Sequence, residues 1–143
     1  MTPQALKTLI ESDATATAML ASKDYAGCAA RCVTLSPKIH VETILTERGV
    51  YKKLGATLGE TILQKLEGFA AASQSMSPVI TRVLKWLEPT NGGLDFGDAQ
   101  TLTLIAALTA GGLFTTEEQT AIVSMSLVSE TITPSHVELA GLI

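Results

Sequence analysis

The sequence predicts an all-α fold, a compact bundle of about seven short to medium helices that includes a C-terminal helical hairpin. Apolar residues recur at the three- and four-residue spacing of one helix face, as in Ile80, Val83, Leu84 and Leu87. Helix-start signals, in which Thr, Ser or Asp precedes Pro or Glu, occur throughout the chain, and Gly follows several apolar runs. Strand signals are few. These observations favour helices packed on helices.

Length and composition indicate a single domain over residues 1–143, with a subdomain boundary near 89–97 as the alternative. Apolar residues make up 46% of the chain and charged residues 17%, which excludes intrinsic disorder because a large apolar surface is left to bury. The pieces on either side of the Asn91–Gly97 loop are small. One shared core is therefore favoured over two.

The first 35 residues are predicted to form three short helices. Thr2-Pro3 opens the first, because Thr is a good N-cap and Pro fits the first helical turn. Ser12 or Asp13 starts the second, and Asp24 can cap the third. Ser36-Pro37 ends the third, since the residue before a proline avoids the helical region. The same Thr-Pro device at Thr133-Pro134 opens the last short helix of the chain.

Residues 38–45 leave a short strand and an extended connector open. Ile39, Val41, Thr43 and Leu45 alternate with other side chains, as on a half-buried strand. No second convincing strand is found to pair with this segment. The extended connector is therefore favoured.

Three further helices are predicted in the middle of the chain. Thr46 caps the first, Glu47–Leu54, which Gly55 ends or kinks. Segment 60–72 carries apolar residues at helical spacing and is predicted to be the central core helix. Pro78 begins the third.

A helical hairpin over residues 98–128 is the most specific structural prediction. Asp98 caps its first helix, which is apolar nearly all round, and Gly111-Gly112 ends that helix. Thr115 and Glu118 have the spacing of a capping box, in which each side chain accepts from the other residue's backbone N–H.

Charge is distributed unevenly along the sequence. Residues 1–85 contain ten Lys/Arg and seven Asp/Glu, whereas residues 86–143 contain seven acids and no Lys or Arg. Such asymmetry can guide a basic partner onto one face, or a second copy of the chain end to tail. It predicts a protein interface formed by five residues: Arg48, Lys52, Lys53, Glu117 and Glu118.

Nucleic acid and membrane are not predicted partners. The net charge is −4, and acidic residues interrupt the basic ones, whereas nucleic-acid binding favours a continuous basic patch. The longest uncharged stretch, Ala99–Thr116, is 18 residues long and contains five Thr, so no membrane span is predicted. The first residues lack the basic stretch and apolar run of a signal peptide.

No catalytic, metal-binding or cofactor-binding residue is predicted. The tripeptides His40–Glu42 and His136–Glu138 share the order His-Val-Glu, but positions i and i+2 face apart on a helix. Cys28 and Cys32 lie four apart and are interpreted as small buried thiols in an Ala-rich helix, since zinc needs further ligands nearby. No phosphate loop, dinucleotide fingerprint or nucleophile elbow is present. The sequence therefore predicts a protein that is not an enzyme and needs no cofactor.

Four segments resemble a group of small helical proteins in tailed-bacteriophage genomes, which tend to be encoded among virion genes, particularly tail genes. The resemblance covers about Ala5 to Leu142 and supplies no catalytic residues. The segments are capping and packing signatures. They are Leu45–Tyr51, Leu63–Glu67, Gly92–Asp98 and Leu113–Glu118.

The charge pattern and the resemblance together predict a structural or assembly component of a tailed-phage particle, tail or other virion protein. It would bind itself or other virion proteins and form oligomers. The alternative is a phage-encoded inhibitor whose anionic face binds a basic host defence or nucleic-acid-handling protein. The expected location is the host cytoplasm during assembly and then the virion.

Overall fold

A computed structural model describes all residues, 1–143, and 66% of them are helical. The predicted all-α class is confirmed, with nine α-helices in place of about seven. The helices are α1 (Pro3–Glu11), α2 (Ala14–Ala21), α3 (Tyr25–Leu35), α4 (Glu47–Leu54), α5 (Ala56–Ala71), α6 (Ser77–Leu87), α7 (Ala99–Ala110), α8 (Thr116–Ser124) and α9 (Pro134–Gly141). The strands, each of two residues, are β1 (Ile39–His40), β2 (Ile44–Leu45), β3 (Leu94–Asp95) and β4 (Leu127–Val128).

Side-chain caps begin most of these helices where the sequence predicts them. Thr2, Asp13 and Asp24 each accept a hydrogen bond from a backbone N–H in the first turn of α1, α2 and α3. The predicted capping box of α8 is present: the Thr115 hydroxyl accepts from the Glu118 N–H, and the Glu118 carboxylate accepts from the Thr115 N–H. Local hydrogen bonding thus fixes where these helices start.

Gly55 separates α4 from α5. Its φ of +88° is a left-handed conformation that glycine adopts without strain, so the helical path is interrupted there. Helix α5 then runs from Ala56 and starts earlier than the predicted segment 60–72. Thr46 precedes α4 as predicted, but its side chain makes no capping hydrogen bond.

The chain folds as two compact units. The first consists of Met1–Ile39 with Val128–Ile143, and the second of His40–Leu127. The predicted subdomain boundary near 89–97 therefore lies inside the second unit. The reason is burial: Phe96, in the middle of that loop, is only 6% exposed and belongs to the second unit's core.

The first unit is built from α1, α2, α3 and α9. Helix α9 packs against α1 and α3, which brings the last helix into the same core as the first three. The core is small and includes both cysteines; its buried residues are Leu6, Ile10, Ala16, Cys28, Ala29, Cys32, Ile132, Val137 and Ala140.

The second unit is built from α4 to α8. Helix α5 packs against α4 and α6, and α7 packs against α8 as the predicted helical hairpin. Branched residues and two phenylalanines dominate its core; among its buried members are Val50, Ile62, Ile80, Leu87, Phe96, Ile105, Phe114 and Ile122.

The extended connector favoured for residues 38–45 was wrong, because the segment contains two short strands, β1 and β2. Strand β1 pairs with β4, and β2 pairs antiparallel with β3, with Ile44 opposite Asp95 and Leu45 opposite Leu94. The partner strands were missed because two residues are too few to produce an alternating pattern. Gly97 follows β3 so closely against this segment that an added Cβ would lie 1.9 Å from the Val41 carbonyl oxygen.

Candidate functional site

The three predicted basic interface residues lie together on α4. Arg48, Lys52 and Lys53 are exposed, and none of them takes part in an ion pair. Arg48 and Lys52 are four residues apart on the helix, so they share one face. We call these three residues the α4 cationic face.

The predicted acidic interface residues behave differently from each other. Glu117 is exposed, whereas Glu118 is only 8% exposed. The Glu118 carboxylate accepts from the Lys65 ammonium at 2.5 Å and from the Thr115 backbone N–H at 2.9 Å. These two hydrogen bonds lower the pKa of Glu118 below its usual value, and the bond from Lys65 has the larger effect. Glu118 is thus buried inside the second unit, and its Oε1 accepts both hydrogen bonds, so it presents less surface to a partner than the other four predicted interface residues.

The charge asymmetry of the sequence is not an asymmetry between the two units. The first unit contains four Lys/Arg and five Asp/Glu, and the second contains six Lys/Arg and nine Asp/Glu. The basic part of the sequence ends at residue 85, which lies within the second unit. The Lys65–Glu118 ion pair of that unit joins a residue of the basic part to a residue of the acidic part. Surfaces of opposite charge are therefore to be found within the second unit, not between the two units.

A groove in the second unit lies between α6 and the start of α7. It has a volume of about 620 Å³ and is open to solvent. Val79 and Trp86 form an exposed apolar wall, being 46% and 48% exposed, and Leu94 and Leu104 add further apolar lining. Half-exposed tryptophan is costly to leave in water and is enriched at protein interfaces.

Two carboxylates, Asp95 and Asp98, give the groove an anionic rim, and no Lys or Arg lines it. Asp95 Oδ1 accepts from the Thr43 N–H at 2.8 Å and from the Gly97 N–H at 2.9 Å. Asp98 Oδ2 caps α7 by accepting from the Gln100 N–H at 3.0 Å. These bonds fix both carboxylates in place, and neither forms an ion pair. We call the set Val79, Trp86, Leu94, Leu104, Asp95 and Asp98 the Trp86 groove.

The sequence reasoning missed the Trp86 groove, although one signal was available. The apolar stripe of α6 that faces the core includes Ile80, Val83 and Leu87. Val79 and Trp86 are seven residues apart and lie outside that stripe, so they form a second apolar edge on the same helix, with Arg82 between them. A helix with two apolar edges indicates contacts beyond its own core.

Both histidines form hydrogen bonds, His40 with a residue distant in sequence and His136 with a nearby one. His40 Nδ1 lies 2.6 Å from the Ser126 hydroxyl oxygen, a pair that the sequence did not suggest. Ser126 is 0% exposed, so no substrate can reach its hydroxyl as a nucleophile. His136 completes a capping box with Thr133 at the start of α9.

The two cysteines are free and buried in α3, as the sequence predicts. The Cys28 thiol donates to the Ala16 carbonyl at 3.5 Å. Burial raises the pKa of Cys32 to about 11, which disfavours the reactive thiolate. The structure contains no group of three or more His, Cys, Asp or Glu placed to hold a metal ion. None of its helices is both long enough and apolar enough to span a membrane.

The fold and these surfaces define a small all-helical protein with an anionic apolar groove and a separate cationic helix face. Comparison of the chain with protein-family models, with curated proteins and with solved structures finds no match. The resemblance to tailed-phage proteins therefore stays a prediction, and a proposal of function depends on the two surfaces.

Proposed function

We propose that this protein is a non-enzymatic structural or assembly component of a tailed-phage particle, tail or other virion part, that acts through protein–protein contacts. The observation that carries the proposal is the presence of two oppositely charged surfaces on one unit, both without ion-pair partners. They are the α4 cationic face and the Trp86 groove.

Two different complementary surfaces on one chain favour repeated assembly. A contact between unlike patches leaves a free copy of each patch on the complex, so that further subunits can add as a ring or a stack. Particle components use such repeated contacts. The resemblance of four sequence segments to virion-encoded helical proteins supports the same role.

The Trp86 groove also supports the alternative, a phage-encoded inhibitor of a basic host protein. Its anionic rim attracts cationic side chains, and its apolar wall provides area to bury. Under this alternative the chain stays in the host cytoplasm and binds one host defence or nucleic-acid-handling protein.

Mass spectrometry of purified particles tests the proposal. Particles of the phage that encodes the chain are banded by density and compared with the soluble fraction of the same lysate. We expect peptides of this chain in the particle band in many copies per particle. A chain found only in the soluble fraction, in complex with a host protein, would overturn the particle role in favour of the inhibitor.

A further inference from the structure

We infer that the Trp86 groove receives the α4 cationic face of a second copy of this chain. The inference rests on the proposed function, which requires protein–protein contacts, and it adds the identity of the partner and of both contact surfaces.

The chemistry of the two surfaces matches. Arginine and lysine side chains have apolar stems and charged ends, so they cover apolar surface while their ends reach a polar rim. In the groove, Val79 and Trp86 offer that apolar surface, and Asp95 and Asp98 offer two carboxylates. An aromatic side chain next to a cation adds a further attraction.

Both surfaces are free to form this contact. The only ion pair within the second unit joins Lys65 and Glu118, so no residue of the α4 cationic face is ion-paired. Arg82 lies beside the Val79 and Trp86 wall, but it does not line the groove, and neither Asp95 nor Asp98 forms an ion pair. Each copy thus presents a cationic helix face and a groove with two carboxylates, and neither surface is engaged in an ion pair.

The two surfaces are distinct, so copies join head to tail. Each contact uses the groove of one copy and α4 of the next, and leaves one groove and one α4 face free. Assembly is open-ended unless the rotation between neighbours closes a ring. Because the contact is largely electrostatic at its rim, it weakens with salt.

Two complementary variants isolate a single contact. The acceptor, Arg48→Glu with Lys52→Glu, has a reversed α4 face and an intact groove. The donor, Asp95→Asn with Asp98→Asn and Trp86→Ala, has a groove without its two charges and its aromatic ring, and it keeps an intact α4 face. At both positions asparagine keeps a side-chain oxygen, which can accept the Thr43 N–H at residue 95 and the Gln100 N–H at residue 98.

Trp86 is the only tryptophan of the chain, so fluorescence in the mixture reports on the acceptor groove alone. Titrating the donor into the acceptor in about 50 mM salt is expected to shift emission to shorter wavelength and to saturate, because Trp86 leaves water. Sedimentation of the mixture should give a 1:1 pair and nothing larger. At about 500 mM salt the affinity should fall at least 10-fold, as the Debye length shortens from about 14 Å to about 4 Å.

Two controls accompany the titration. A donor that also carries Arg48→Glu and Lys52→Glu should produce no shift. A chain whose only changes are Glu67→Gln and Glu138→Gln loses the same charge as the donor's two Asp→Asn changes, at exposed sites outside the groove, and should keep the wild-type self-association within about 2-fold. Circular dichroism checks that each variant is folded, and Asp98→Asn with Trp86→Leu replaces the donor if the triple variant is not.

The outcomes separate this inference from the proposed function. No shift in the mixture, with a wild-type chain that still forms oligomers, overturns the contact between α4 and the groove and leaves assembly through other surfaces. A wild-type chain that is monomeric in 50 mM salt also overturns the inference. The particle test decides the proposed function independently in either case.

Discussion

Replacing Glu118 by Gln tests the physical argument that this residue is an internal anchor. Glutamine retains an oxygen that can accept the Thr115 N–H and removes the negative charge opposite Lys65. The helix cap of α8 is therefore preserved while the ion pair is lost.

The magnitude follows from burial. A hydrogen bond to a charged group contributes about 1.5–3 kcal/mol to stability. The Lys65 side chain is 33% exposed and retains part of its hydration, which lowers the expected loss for Glu118→Gln to about 1–2 kcal/mol. We expect Tm to fall by about 3–7 °C at pH 7. The matched control Glu117→Gln, at the exposed neighbouring position, should change stability by less than about 0.5 kcal/mol.

The same pair predicts a pH dependence of defined sign. The pKa of Glu118 is lowered in the folded chain, so its carboxylate stabilises the fold at pH values above its usual pKa of 4.5. That contribution is lost as the pH falls through the folded pKa, when the carboxyl becomes protonated. The Tm difference between wild type and Glu118→Gln should therefore be constant from pH 7 to about 5 and shrink below about 4.5.

Thermal unfolding followed by circular dichroism at pH values from 7 to about 2.5 measures both effects. The reasoning is refuted if Glu118→Gln unfolds like Glu117→Gln at pH 7. It is equally refuted if the difference from wild type does not change in acid, because a purely steric effect would show no titration.

Three further predictions concern single sites. Gly97→Ala should destabilise the chain by at least about 2 kcal/mol in urea unfolding, because the new Cβ would meet a backbone carbonyl. The matched control Gly68→Ala lies inside α5 with open space around it, and it should stabilise the chain by about 0.5–1 kcal/mol. Asp13→Asn keeps the α2 cap but removes the ion pair to Arg31, so the variant should have a lower Tm than wild type. The Arg31 guanidinium lowers the pKa of Asp13 to about 2. The Tm difference should therefore persist from pH 7 to about 4 and vanish as the pH falls through about 2. Cys32 should react with a thiol reagent only at the rate of unfolding, and rapid labelling of the folded chain at pH 8 would contradict its burial and raised pKa.

Local signals in the sequence predicted the helices well. Thr2, Asp13, Asp24, Asp98 and Thr115 all cap helices in the structure, because a capping hydrogen bond spans only two or three residues. The positive φ of Gly55 likewise follows from a property of one residue. Such features depend little on the rest of the chain.

Features that depend on distant residues could not be predicted in this way. Strands of two residues exist only because a segment far away in sequence supplies their hydrogen bonds, as in the pairing of Leu45 with Leu94. The burial of Glu118 depends on Lys65, more than fifty residues earlier. The Trp86 groove depends on which face of α6 the core leaves uncovered. Net charge along the sequence was a poor guide to surface charge because folding mixes its two parts.

We expect this chain to assemble through protein–protein contacts between charged surfaces. Sedimentation velocity of the purified wild-type chain in about 50 mM and about 500 mM salt tests it most directly, because exposed charge contacts weaken as the Debye length falls. Large oligomers are expected at low salt and should dissociate at high salt. A monomer at both salt concentrations would contradict self-assembly by this chain.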